Sequence, residues 1–342
     1  MRTRTHLARP TLFALCAVLS LAPAVRAEPL TPASRQKLLQ LRQAIRGWAP
    51  LCNGFLAQSL GCEQGDMLEY AGLSCLSGEH ARCNDARLSQ TADGRFFRNP
   101  IYARNGDAID SFSRDMLMGV FDYVLATGDK DSLERFYKWI RSDHDKLCPK
   151  ASDNRCNMVP GGWGLYGMVM KHVGLKVPLL LAAAEATVDI DLASGALTVP
   201  PGYRMELVAH HIITRRKMGM NTVVMRDAAK KIAKKQPLNP LFVVLDEGPT
   251  EHVAQLTMEI CKPTRGAQVN DTFFQRELRR NDKGEIVVIR DWQEPVPPRA
   301  SDVANGHDCL MVIDQILADN GNGVPAAANG GLTRPQAIPG GR

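Results

Sequence analysis

Apolar residues recur at helical spacing in segment after segment of this chain, while the strict alternation that marks a strand is nearly absent. Periodicity, caps and breakers predict helices over 33–48, 66–77, 80–91, 114–127, 131–144, 163–173, 177–187, 202–217, 221–235, 239–246, 250–261 and 305–318. Gly78, Gly128, Gly174, Pro200-Pro201, Gly219 and Pro237 stand where one helix should stop and the next begin. Only GEIVVIRDW, residues 284–292, alternates convincingly, and the preceding NDKG predicts a small hairpin or an extended loop. The segments that begin at Asp66, Arg114, Trp163, Tyr203 and Asp308 follow longer polar loops, and the helices between them follow tight turns. That rhythm suits an all-α ring of about six helical hairpins, with the more apolar helices inside and their N-termini gathered at one rim. A rim of that kind presents free N–H groups and the positive ends of helix dipoles.

The two ends of the chain fall outside this pattern. MRTRTHLARPTLFALCAVLSLAPAVRA carries arginines before a short apolar run and a small-residue end, which predicts a cleaved signal peptide over 1–27 and a periplasmic or secreted protein. Residues 321–342 are rich in Gly, Pro and Ala and predict a disordered tail, which leaves 28–320 as one domain. No later stretch is long and apolar enough to span a membrane. Loss of the leader removes Arg2, Arg4, Arg9 and Arg26 and no acid, so the formal net charge falls from +6 to +2. Nucleic acid is therefore not an expected partner, and the run RDAAKKIAKK at 226–235 is read as the solvated face of a helix, with Ala228, Ala229, Ile232 and Ala233 turned inward.

Eight cysteines remain after the leader, an even number in an exported chain, and this favours disulfides. Nearness in sequence pairs Cys52 with Cys62, Cys75 with Cys83, and Cys148 with Cys156, leaving Cys261 and Cys309 to close a long loop; sequence alone leaves other connectivities open. No CxxC spacing is present, and neither a metal nor a cofactor is expected.

The helix alternation over 33–318, with Gly65-Asp66-Met67, Ser113-Arg114-Asp115-Met116 and Gly306-His307-Asp308 at the expected rim, resembles the six-hairpin glycosidase-like, or (α/α)6-toroid, superfamily. The resemblance implies a cleft at the N-terminal ends of the inner helices and a polysaccharide or oligosaccharide ligand. Its members include hydrolases, lyases and proteins without known activity.

Candidate chemistry follows from residue type and place. Glycoside hydrolysis needs one protonated and one ionised carboxyl, and Asp66 and Asp115, at two helix mouths, are the expected pair. Each also has a capping explanation: Asp66 heads a DxxE box with Glu69, and Asp115 sits in the first turn of a helix that Ser113 is expected to cap, while Asp131 is expected to cap the next helix. Arg114 could grip a sugar carboxylate. Glu206 and His210, four apart, share one helix face with His211 turned away; the spacing fits a hydrogen-bonded structural histidine better than a metal pair. In a uronate lyase, His210 or Tyr203 would serve as the base. Trp163 and Trp292 are possible sugar platforms, and His307 and Asp308 precede the last helix after a proline-rich loop. No GxSxG, HExxH or phosphate-loop motif is present. The expected activity is glycan cleavage by hydrolysis; the alternatives are a uronate lyase and a non-catalytic glycan-binding or assembly protein.

Overall fold

A computed structural model describes residues 28–49, 51–57, 67–105, 112–142, 145–148, 156–261, 276–291, 294–300 and 306–318. Asp66, Cys62, Trp292, the expected signal peptide and the expected tail lie outside them.

The described chain is mostly helical. Helix α1 (Pro32–Arg46) precedes a hairpin of two short strands, β1 (Leu51–Cys52) and β2 (Phe55–Leu56). Then come α2 (Met67–Leu76), α3 (His80–Leu88), α4 (Pro100–Asn105), α5 (Arg114–Thr127), α6 (Lys130–Ser142) and α7 (Pro160–His172). Next follow α8 (Leu179–Ala184), α9 (Val188–Thr198), α10 (Tyr203–Lys217), α11 (Val223–Lys235), α12 (Pro240–Glu247) and α13 (Glu251–Ile260). Strands β3 (Arg276–Arg280), β4 (Ile286–Asp291) and β5 (Glu294–Ala300) precede α14 (His307–Ala318).

Local chemistry explains many of the ends. Thr31 caps α1 by accepting from the Ser34 N–H at 3.1 Å, with Pro32 at the first helical position. Gly128 closes α5 in the left-handed conformation, φ 71°, as expected from a glycine at that place. Two capping expectations are corrected. Ser113 occupies the N-cap of α5, yet its side chain makes no capping bond and its Oγ instead accepts from Arg98 at 3.4 Å. The residue that caps α6 is Asp129, not Asp131: Asp129 Oδ1 accepts from the Ser132 N–H at 3.1 Å.

Burial separates inner from outer helices. Nine of the ten residues of α2 are buried, Glu69 among them, and α14 and the middle of α5 are buried nearly as completely. A helix apolar all round belongs to a core. By contrast α6 buries one stripe, Ser132, Leu133, Phe136 and Ile140, and leaves the rest half-buried or exposed. Helix α2 packs on α5, α5 on α10, α10 on α12, α12 on α14 and α14 on α2, so five helices close a cycle of contacts. Helix α7, expected among the inner helices, packs outside that cycle against α5, α8 and α9. Lys235, at the end of α11, donates its Nζ to the carbonyls of Ala196, Leu197 and Val199 and so ties off the C-terminal end of α9.

The region expected to form a hairpin or loop is a three-stranded antiparallel sheet in the order β3-β4-β5. Asn281 and Gly284 make the β3–β4 turn, Gly284 at φ 78°. Pro295, Pro297 and Pro298 lie on β5, an edge strand that can lack N–H donors.

Disulfides join Cys75 to Cys83, Cys148 to Cys156 and Cys261 to Cys309. Cys52 is also disulfide-bonded, and its expected partner Cys62 lies outside the described residues. Among the described residues no helix is long and apolar enough to cross a membrane.

Candidate functional site

Three groups of polar side chains lie within or beside the cycle of helices, and residues singled out from sequence divide between them. The first is fully buried. His210 Nδ1 on α10 lies 2.8 Å from Glu69 Oε1 on α2, and both side chains are completely covered. Asp122 on α5 is covered as well and accepts from Thr214 Oγ1 at 2.8 Å. Burial pushes the Asp122 carboxyl up to about 6, against the pull of the nearby His210 and the Thr214 hydrogen bond. The same burial pushes His210 down to about 4, partly offset by Asp122 and Asp115. No surface reaches His210, which makes it a core histidine on a carboxylate and not an accessible base. Glu206, one turn earlier on α10, is buried at 1 % exposure.

The second group centres on Tyr70, whose hydroxyl donates to Asp308 Oδ1 at 2.8 Å while its ring sits 6.0 Å from that of His307. Both residues expected to act at the mouth of α14 are thus buried against α2.

The third group lines a cavity of about 510 Å3 between α5, α7, α9 and α10. Arg114, in the first turn of α5, and Arg204, in the first turn of α10, both line it. The level of these two arginines and the Asp122–Thr214 bond further along show that α5 and α10 run in the same direction. Asp191, on α9, also lines the cavity, and its Oδ2 accepts from the Gly161 N–H at the start of α7, 2.8 Å away. His211 completes the polar part of the wall. Its Nε2 is buried with no hydrogen-bond partner among the described residues. Burial, reinforced by the charge of Arg215 and partly offset by Asp189, pushes His211 down to about 4, so the ring is neutral at neutral pH. The rest of the wall is chiefly aliphatic among the described residues, with Leu165, Leu192, Val199 and Val208, and includes the Phe121 ring.

Arg114 and Asp115 do not pair with each other, and neither has an ion-pair partner among the described residues. Asp115 is half-buried and does not line the cavity. Whether Asp115 faces Asp66 falls outside the described residues. Trp163 is half-buried in an aromatic cluster, edge-on to Tyr137 with centroids 6.4 Å apart and tilted against Tyr166 at 6.3 Å. It does not line the cavity. Tyr203 begins α10. Sequence reasoning missed His211, set aside because the four-residue spacing drew attention to His210. Among the described residues no group of histidine, cysteine, aspartate and glutamate side chains could hold a metal ion.

No family model, curated protein or solved structure matches the chain.

Proposed function

We propose that this chain is an exported protein that binds a small organic ligand in the cavity between α5, α7, α9 and α10. One observation carries the reading: a largely aliphatic recess of about 510 Å3, with Arg204 and Asp191 also in its wall, holds the Arg114 guanidinium and the buried His211 Nε2, the first without an ion-pair partner and the second without a hydrogen-bond partner among the described residues. That volume falls within the roughly 300–1,000 Å3 of small-molecule sites. A buried polar atom without a partner costs roughly 1–3 kcal/mol, which a matching ligand group would recover. The contact cycle α2–α5–α10–α12–α14 supports reading the fold as an α/α toroid whose inner wall carries this site on two of its helices. Saturable one-to-one binding of the neutral fluorophore N-phenyl-1-naphthylamine is the test. Gly162 lines the cavity, and a Cβ there would meet nothing nearer than 3.6 Å, so Gly162→Phe should fill the space without breaking α7. Binding that vanishes in the folded variant supports the site; equal binding in both proteins removes it.

A second reading keeps glycan cleavage at the helix mouths. It is favoured by Asp115, a half-buried carboxylate without an ion-pair partner among the described residues, in the first turn of an inner helix. Exposure of Asp115→Asn and the parent protein to neutral and uronate-containing polymers tests it. An acid-dependent new reducing end marks a hydrolase, an ultraviolet-absorbing product marks a lyase, and no product from either protein sinks the reading.

A further inference from the structure

The cavity walls also restrict the ligand's chemistry. Cations in the first turn of a helix oppose its dipole and cost roughly 0.3–1 kcal/mol each. Yet α5 and α10 both carry an arginine there, Arg114 and Arg204, and both arginines line the same cavity. Helix N-terminus and guanidinium then add their positive potentials at one place, which disfavours a cationic ligand and favours an anionic one. The start of α7, at the same cavity, is already answered by a carboxylate, Asp191, bonded to the Gly161 N–H. Among the described residues of the wall, Arg114 is the cation without an ion-pair partner, while Asp191 already answers the Gly161 N–H and His211 is neutral. One anionic group of a ligand meets that guanidinium, whereas a second would be driven against Asp191.

The remaining wall sets the body of the ligand. Leu165, Leu192, Val199 and Val208 offer no hydrogen bonds, so a hydroxyl-rich molecule would lose its hydration without replacement. An aliphatic chain would instead gain roughly 25 cal/mol for each Å2 of apolar surface removed from water. We propose that the cavity takes a monocarboxylate with an aliphatic body, its carboxylate held by the Arg114 guanidinium and by the Nε2–H of His211. This rests on the reading of the cavity as a binding site. The carboxylate supplies the acceptor that His211 Nε2 lacks, and two oxygens on one carbon suit a guanidinium fork.

Calorimetric titration of the disulfide-bonded chain with decanoate, decanol and decylamine tests the assignment. Decanoate is expected to bind one to one and at least tenfold more tightly than decanol, and decylamine more weakly than either. Arg114→Gln and, separately, His211→Phe should abolish the preference, so that decanoate binds no more tightly than decanol to the same variant. Should decanol bind as tightly as decanoate, or should both variants keep the preference, the carboxylate assignment falls while the cavity remains a binding site. Absence of binding by all three probes in a protein that still binds N-phenyl-1-naphthylamine also overturns the assignment. Failure of the fluorophore as well overturns the binding reading itself.

Discussion

Gly72 on α2 and Gly119 on α5 meet so closely that a Cβ built on Gly72 would lie 2.1 Å from the Gly119 carbonyl oxygen, and one on Gly119 would lie 2.3 Å from that of Leu68. The absence of two side chains lets the backbones of the inner helices touch. That contact sets the depth at which Glu69 on α2 and Asp122 on α5 sit in the core.

Alanine at either position should therefore destabilise the fold. In a helix interior, Gly→Ala ordinarily gains about 1 kcal/mol from propensity. Here the Cβ meets backbone, which cannot swing aside, and overpacking costs typically 1–3 kcal/mol or more. Gly72→Ala should lower the midpoint of thermal unfolding, and an unchanged or raised midpoint would show that α2 and α5 do not approach this closely.

Much of the fold was legible because it depends on neighbours in sequence. Helix α5 spans 114–127, as its caps and apolar spacing predict, and Ala228, Ala229, Ile232 and Ala233 of α11 are buried as expected. Helix α9 was missed because VDIDLASGALT mixes β-branched, acidic and small residues; it is helical because Val188, Leu192 and Ala196, four apart, all reach the core. Strand β5 was hidden by its prolines, which only an edge position allows. At the site, the sequence pointed to Arg114 but not to its setting. The Glu69–His210 and Tyr70–Asp308 pairs join residues 141 and 238 positions apart, and nothing local encodes such meetings. Which of His210 and His211 faces the cavity depends on the helices packed on each side of α10, and that is tertiary information.

Thr214 is expected to matter through Asp122. Both are fully buried, and the 2.8 Å hydrogen bond answers one oxygen of a carboxyl that has no water to turn to. Thr214→Val removes the donor and keeps the shape, so the unfolding free energy should fall by about 1–3 kcal/mol. Addition of Asp122→Leu to Thr214→Val should cost less than the sum of the single changes, because the carboxyl that needed the donor is gone. Additive losses in a urea double-mutant cycle would show that the two residues do not act together.

Two ionisable groups, the buried Asp122 and the half-buried His211, should give opposite responses to acid. His211 is held near pKa 4 in the fold against 6.5 when exposed, so the unfolded chain binds the extra proton between those values. Its contribution is complete above pH 6.5 and is lost as the pH falls toward 4. Asp122 is held near 6 against 3.8 when exposed, so the folded chain binds the extra proton, and its contribution is complete below pH 3.8 and lost as the pH rises through 6. His211→Gln should accordingly flatten the loss of stability on acidification from pH 6.5 to 4, and Asp122→Asn should steepen it. Each effect should be on the order of 1–3 kcal/mol across the window. Urea midpoints measured at half-unit intervals decide the matter; the same slope in all three proteins would mean that neither group is shifted as stated.

The Cys261–Cys309 bond should be the most stabilising of the three described disulfides by virtue of the loop that it closes. It spans 48 positions, against 8 for Cys75–Cys83 and 8 for Cys148–Cys156. Cross-linking limits the unfolded chain roughly as the logarithm of loop length, which gives about 4 kcal/mol for the long loop and about 2.6 kcal/mol for each short one. Position works in the same direction. Cys261 follows the end of α13 and Cys309 lies in the first turn of α14, so the bond fixes α14, a member of the contact cycle, to the helix packed outside it. Replacing both cysteines with serine should lower the unfolding free energy more than the same change at Cys75 and Cys83. It should also loosen the start of α14, where Asp308 receives the Tyr70 hydroxyl. Hydrogen exchange should therefore quicken first at the amides of residues 309–313 in the Cys261→Ser/Cys309→Ser protein. If the short-loop variant loses more stability, loop length is not what governs these bonds.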